Sequence, residues 1–403
     1  MKSPRSVVVL LDTAVVAAIG VTVLVVAARS LPPQDLTVFS LMILVVTSAV
    51  AFQRTALLAP ALATQRSDGP GVVPLKWGLM AGPPIAIVGT AIMASVPIEP
   101  DERLPVLFCC FIATFSWLVV DVIRRNLLTR SMWKPLILLD GSFAVSVLGL
   151  SLFAILFGDG LLSLAVAFAT GSGLTLLLLP IARRNVSAHR YFTLKGTWRL
   201  GSWAALDSLM SISANFIPLI ATTALIDVQL AGEYRVLQSA AGPLNIIATA
   251  LITSTGLQAW HFTTAESVRR LKRTALRQSF SLALLALVYL ALAALAVTWL
   301  AGLESSTILR VTIVVGIAGV LSAFSVPLQA AALSLGQQRF GAFTRILVVA
   351  VAVLVSVPEV ARFLPWQDPI AATSIVAAIL SLVGWSLALF LRKPFSQASL
   401  DGE

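Results

Sequence analysis

Long apolar runs recur along the chain, separated by short polar or basic segments. Twelve of them are candidate helices: 7–28, 36–51, 72–96, 106–123, 135–157, 161–181, 203–226, 234–257, 280–300, 311–333, 342–357 and 369–391. Each approaches the roughly 20 apolar residues with which a helix crosses a bilayer. The second and eleventh are short, and the second is expected to run on through Arg54 toward Leu58. The first follows Lys2 and Arg5 and resembles a signal peptide. It is too long for the apolar region of about 7–15 residues that such a peptide carries, so an uncleaved helix is expected.

The basic residues test this partition. With the N-terminus inside, alternating loops place 23 of the 28 Lys and Arg residues on the cytoplasmic side. Only Arg29, Arg103, Arg235, Arg310 and Arg362 fall outside. Such an excess sets the orientation of short-looped membrane proteins. Both termini are then cytoplasmic. The expected fold class is all-α: a polytopic membrane protein with 12 transmembrane helices, in two pseudo-symmetric six-helix bundles around a central cavity. The expected domains are an N-terminal lobe at 1–182, a basic amphipathic linker at 183–202 and a C-terminal lobe at 203–403.

Composition agrees. Hydrophobic residues make up 58% of the 403 residues and charged residues 11%, with mean hydropathy +0.95. An average soluble domain is about 25% charged, so a water-soluble enzyme is excluded. The net charge of +10 is assigned to basic loops that meet membrane lipids, not to nucleic acid. Cys109 and Cys110 are adjacent inside one apolar run, and His189 and His261 lie in or beside basic segments. No metal-ligand spacing follows, and no metal or cofactor is expected. There is no phosphate-binding loop for a built-in ATPase. The outer loops are too short for the catalytic loop of a polyprenyl-dependent glycosyltransferase or a polymerase. A transporter, not an enzyme, remains.

An internal repeat supports two lobes. Shifting the first half by 195 residues sets Leu11-Asp12-Thr13 on Leu206-Asp207-Ser208, Gln34 on Gln229 and Phe39 on Tyr234. Weak internal symmetry of this kind is common in secondary transporters. Chance similarity between two membrane helices is the competing explanation.

Polar residues inside spans are functional candidates because their burial is costly. In the eighth span Arg235, Gln238, Gly242, Asn245, Thr249 and Thr253 fall within roughly 80° of one another at helical spacing. Gly242-Pro243 breaks the middle of that span, freeing a carbonyl that is tolerable only against protein or a wet cavity. Asp207, Ser211, Asn215, Pro218 and Thr222 repeat the pattern in the seventh span. Ser40, Thr47 and Arg54 share a face of the second, and Ser322, Ser325 and Gln329 a face of the tenth, with Pro327 as its kink. Small and polar faces also glue helices together, so packing is the alternative.

Arg54, Arg124 and Arg125 mark the inner end of the pathway and Arg235 the outer end. Arginine forks suit phosphate, while the positive-inside rule also accounts for Arg124 and Arg125. Asp121 precedes that pair by about one turn and pairs with it locally. Asp12 and Asp207 are candidates for ion coupling; with Asp140 they are acids near inner helix ends, where favourable interaction with a helix dipole competes. The basic segments 183–199 and 263–277 read as interfacial helices on anionic lipid.

Three stretches carry a family resemblance. Gly232-Glu233-Tyr234-Arg235-Val236-Leu237-Gln238-Ser239-Ala240-Ala241-Gly242-Pro243-Leu244-Asn245 resembles the eighth-helix signature of polysaccharide-type flippases. Leu31-Pro32-Pro33-Gln34-Asp35-Leu36, through Phe39-Ser40, resembles their first outer turn, with Thr37 in place of the usual glycine. Asp121-Val122-Ile123-Arg124-Arg125 resembles their fourth-helix exit. These flippases form a branch of the multidrug/oligosaccharidyl-lipid/polysaccharide (MOP) exporter superfamily. The resemblance implies alternating access in a bacterial cytoplasmic membrane, with a polyprenyl-pyrophosphate-linked glycan as cargo. A multidrug-type exporter of the same superfamily is one alternative. A non-transporting scaffold, partnered with glycan-synthesis membrane proteins, is another.

Overall fold

A computed structural model describes residues 19–58, 75–129, 132–158, 160–178, 194–225, 228–240, 244, 265–301, 307–335, 337–363 and 368–391. Every element among them is helical. In order they are α1 (Ile19–Ser30), α2 (Pro33–Gln53) with a π turn (Arg54–Leu58), α3 (Leu75–Met93), α4 (Pro100–Thr129) and α5 (Trp133–Phe157). Then come α6 (Gly160–Leu174) with a 3₁₀ turn (Thr175–Leu178), α7 (Leu194–Leu225), α8 (Val228–Ala240) and α9 (Ala265–Ala301). Finally come α10 (Thr307–Ser334), α11 (Gln338–Val355), a single turn at Pro358–Ala361, and α12 (Pro369–Leu391).

The starts follow from local chemistry. Pro33 opens α2 and Pro369 opens α12, positions where the missing amide proton has no helical partner to lose. Asp368 precedes α12, and its Oδ1 accepts the Ala371 amide at 3.0 Å, an N-cap bond. Eight of the described helices, counting the turns that extend α2 and α6, are long and apolar enough to cross a membrane. α1, Gly78–Met93 of α3 and Phe340–Val355 of α11 are shorter apolar helices. The chain is thus an all-α, multi-pass membrane protein. A helix stands at each of the twelve expected positions, and beyond α8 the rest of the eighth span lies outside the described residues, apart from Leu244. As expected, the second span runs on to Leu58.

The basic segments differ from expectation. Residues 265–277 do not form a separate interfacial helix; they are the first turns of α9, a single helix of 37 residues. At 1.5 Å per residue it is about 55 Å long. The reason is packing: Leu271 and Ala275 are buried against Leu328, Ala331, Trp385 and Leu389 of α10 and α12. An amphipathic stripe reads the same way whether its apolar side meets lipid or a protein wall. Residues 194–199 likewise belong to α7, while 183–193 lie outside the described residues.

Contacts divide the chain into two compact units. The first holds Leu11–Leu209 with Asp227–Ser239. Within it α4 packs against α2, α3 and α6, and α5 against α6. Its core is aromatic: Phe39 meets Phe168 edge-on at 5.9 Å, and Trp117 meets Phe143 at 4.8 Å. The indole of Trp117 donates to Ser172 Oγ at 2.9 Å, which satisfies the one polar atom of a buried ring. The second unit includes Met210–Ile226 and Ala240–Glu403. There α10 lies between α9 and α12, and α11 packs on α12. Trp385 is buried in its core where α9, α10 and α12 meet, and its ring occupies the room that a Cβ at Gly341 would need.

Candidate functional site

The first unit buries a chain of opposite charges near the ends of three of its helices. Arg54 stands at the first position of the π turn that continues α2. Such wider turns are rare and are frequent at functional sites. Its Nε donates to both carboxylate oxygens of Asp121, at 3.0 and 2.9 Å, and its Nη2 donates to Oδ1 as well. The same Oδ1 lies 4.0 Å from Nη1 of Arg124, one turn along α4. Arg124 in turn donates from Nε to Asp140 Oδ1 at 2.7 Å, reaching α5. The series Arg54–Asp121–Arg124–Asp140 therefore ties α2, α4 and α5 together. Arg124 and the two acids are buried, whereas the Arg54 side chain keeps 25% of its surface. Buried charges are tolerable only when paired in this way. Arg125 follows on α4 and is half-buried. Beside Arg54, Gln53 is 1% exposed and its Oε1 has no hydrogen-bond partner among the described residues.

The sequence places Arg54, Asp121, Arg124 and Arg125 at one end, and the structure brings the first three into contact. Two links were missed. Asp121 is expected to pair locally with Arg124 and Arg125, yet its closest partner is Arg54 of another helix. Asp140 is expected as an acid near a helix end, favoured by the helix dipole, yet it holds Arg124. A signal for that pair exists: Arg124 and Asp140 lie eight residues either side of Met132, at the join of two antiparallel helices. Gln53 was not singled out at all.

The outer candidate lies in the second half of α8. Arg235 Nη1 donates to Gln238 Oε1 at 3.3 Å, and both residues are half-buried. One turn earlier Gly232 packs on α2: a Cβ there would stand 2.8 Å from Thr37 Oγ1. Thr37 Oγ1 itself donates to the Pro33 carbonyl at 2.9 Å. The side chain that replaces the expected glycine at 37 thus fills the space left by Gly232. Gly242, Pro243 and Asn245, the middle of the eighth-span stripe, lie outside the described residues, as does Asp12.

The other stripes vary along their length. On α7, Asp207 is half-buried and Asn215 exposed, while Pro218 and Thr222 are buried. Asn215 Nδ2 donates to the Ser211 carbonyl at 3.0 Å, within its own helix. On α10, Ser322 is exposed, Gln329 half-buried and Ser325 buried, and the helix continues through Pro327. Thr47 is exposed and bonds back to the carbonyls of Ile43 and Leu44. Among the described residues no three His, Cys, Asp or Glu side chains gather as metal ligands.

No family model matches the chain, and no curated protein matches it. Solved structures do. A multidrug resistance MATE family transporter of the MOP superfamily, in an inward-facing conformation, aligns with TM-score 0.66 at 16% identity. The alignment covers 95% of this chain and 98% of that one. The lipid II flippase MurJ, in an inward closed conformation, aligns with TM-score 0.62 at 11% identity, over 96% and 87% of the two chains. A MOP superfamily transporter from Pyrococcus furiosus, described by the reversed polarity of its binding pocket, aligns with TM-score 0.58 at 17% identity, over 96% and 93%. At these identities the likeness is one of fold, and that fold is shared by drug transporters and a lipid flippase.

Proposed function

We propose that the protein is a membrane transporter that flips or exports a polyprenyl-pyrophosphate-linked oligosaccharide or polysaccharide precursor by alternating access. The observation that carries this reading is the charge balance at the inner end of the first unit. Asp121 and Asp140 are each engaged by arginine, and Arg54, Arg124 and Arg125 outnumber them. A site for a cationic drug needs available carboxylate; this cluster offers a positive surplus, with Arg54 and Arg125 as its part-exposed members. Arginine presents two parallel donors that fit a phosphate as they fit a carboxylate. In this reading Asp121 holds the Arg54 fork in place until a phosphate of the cargo competes for it. Arg235, with Gln238, offers a second cation at the outer end. In this reading Asn215, Asn245, Gln329 and Asp207 are the further pathway candidates of the sequence, Gly242, Pro243 and Pro327 its candidate helix breaks, and Asp12 and Asp207 its candidates for ion coupling; of these Asp12, Gly242, Pro243 and Asn245 lie outside the described residues.

Reconstitution tests this. The purified protein is placed in vesicles with a fluorescent polyprenyl-pyrophosphate oligosaccharide, and its transfer between leaflets is followed by a membrane-impermeant quencher. Transfer is expected from the wild type and, in part, from Arg54→Lys and Arg235→Lys. The pair Arg54→Ala with Arg235→Ala is expected to abolish it, at matched protein levels and with an intact fold by size exclusion. Wild-type transfer from that double variant overturns the reading. A parallel arm with a cationic dye tests the drug-exporter alternative, which the MATE-like fold keeps in view.

A further inference from the structure

α9 carries a feature that the transport reading leaves unused. One face is buried: Leu271, Ala275, Leu282, Ala286 and Leu290 run down it at helical spacing. The opposite face is exposed from Arg269 to Leu287 and changes chemistry once. Arg269, Arg273 and Arg277, each four residues from the last, stand along its cytoplasmic part. Phe280, Leu284 and Leu287 continue the same face, 63%, 65% and 56% exposed. No acid among the described residues pairs with the three arginines, and the nearby Glu266 is held by Arg270 at 3.3 Å. Lys272 turns the other way, over the Phe390 ring at 5.7 Å. The positive-inside rule explains how many cations this segment carries, but not why three share one face with an apolar lane beneath them.

We propose that this face binds anionic phospholipids of the cytoplasmic leaflet, with their phosphates on Arg277 and Arg273 and their acyl chains along Phe280, Leu284 and Leu287. A phospholipid joins an anion to an apolar chain in the order that the face displays. A soluble acidic protein would meet the arginines and leave the lane empty. The change from arginine to phenylalanine sets the hydrocarbon edge near Phe280. From there Arg277 lies about 4.5 Å, Arg273 about 10 Å and Arg269 about 16 Å further along the axis. The headgroup layer is only about 5–8 Å deep on each side. Side chains on a helix tilt toward its N-terminus, here the cytoplasmic end, which lifts the Arg277 guanidinium into the phosphate layer. Arg273 reaches its rim, and Arg269 acts through about one screening length of solution. Because Leu271 and Ala275 fasten the extension to α10 and α12, the ladder is held at fixed heights.

The experiment places p-benzoylphenylalanine at position 280 of the full chain. The protein is reconstituted in phosphatidylcholine with a minor share of phosphatidylglycerol, and irradiated. Mass spectrometry then counts the two lipid adducts, a readout of lipid contact that is independent of transport. Phosphatidylglycerol is expected among the adducts well above its share of the bilayer. Arg277→Gln is expected to lower that enrichment by about five-fold, the effect of one basic residue at an anionic surface. Arg273→Gln is expected to lower it less and Arg269→Gln least, and Arg277→Lys to retain most of it. Adducts in proportion to bulk composition overturn the proposal. So does an equal loss on Lys76→Gln, an exposed cation of α3, because bulk charge would then explain the effect.

Discussion

Arg124 lies 5% exposed between two aspartates, whereas Arg269, Arg273 and Arg277 of the other unit stand in the open. The same residue type meets two regimes. In the first unit desolvation makes each charge depend on its neighbour, so Asp121, with both oxygens on Arg54, also faces Arg124. In the second unit the buried acid Asp368 lies at a helix start, capping α12 and sitting 3.9 Å from Arg310. The buried charges of the first unit belong to a network, and the charges on the open face of α9 act locally. A substitution therefore propagates across three helices in the first unit, and no further than from the start of α12 to Arg310 of α10 in the second.

The contrast breaks most visibly at Asp121. Asp121→Asn leaves Arg54 and Arg124 without their shared acid, and a loss of about 3–5 kcal/mol is expected. Unfolding in matched lipid–detergent mixtures measures it. Adding Arg54→Gln should recover part of the loss, while Arg273→Gln in the exposed ladder should change stability by under about 0.5 kcal/mol. Equal effects at positions 121 and 273 would erase the distinction. A middle-sized effect is expected at the α2–α8 contact. Gly232→Ala overpacks Thr37 and should cost about 1–3 kcal/mol. Thr37→Ala removes the obstructing hydroxyl, so the double variant should lie well above the sum of the two. Additivity in that cycle would mean that the two side chains do not meet. The smallest change belongs to the capping acid: Asp368→Ala should cost about 1 kcal/mol, and hydrogen exchange should quicken only in the first turn of α12 and beside Arg310. Exchange that also quickens through α10 would extend the network behaviour to this unit.

Much of the fold is legible in the sequence, because bilayer thickness imposes one length on every apolar run. The extension of the second span past Arg54 was readable for that reason, since Ala51, Phe52 and Ala56 carry the apolar run onward. The continuity of α9 was not. Val268, Leu271 and Ala275 form an apolar stripe whose partner, Trp385, is more than a hundred residues away. The candidate site divides in the same manner. Arg124 and Asp121 announce themselves at helical spacing, but the bond from Arg54 to Asp121 joins two helices that pack side by side without being consecutive. No period in one helix reports its rotation against another. Thr37 and Gly232 show what such information looks like when it exists: a larger residue where a small one is usual, answered by a glycine 195 positions on.

The length of α9 has one more consequence. From Phe280 to Ala301 it has 22 residues, about 33 Å of axis, against roughly 30 Å of hydrocarbon in an average bilayer. A free helix would lean to absorb the difference, but this one is fastened along its flank to α10. The protein is therefore a gauge of membrane thickness. In a thin bilayer it must draw lipid up around itself or rotate as a body, at a fraction of a kcal/mol for each ångström of mismatch. Where several membranes or lipid domains are on offer, that small gradient favours the thicker ones.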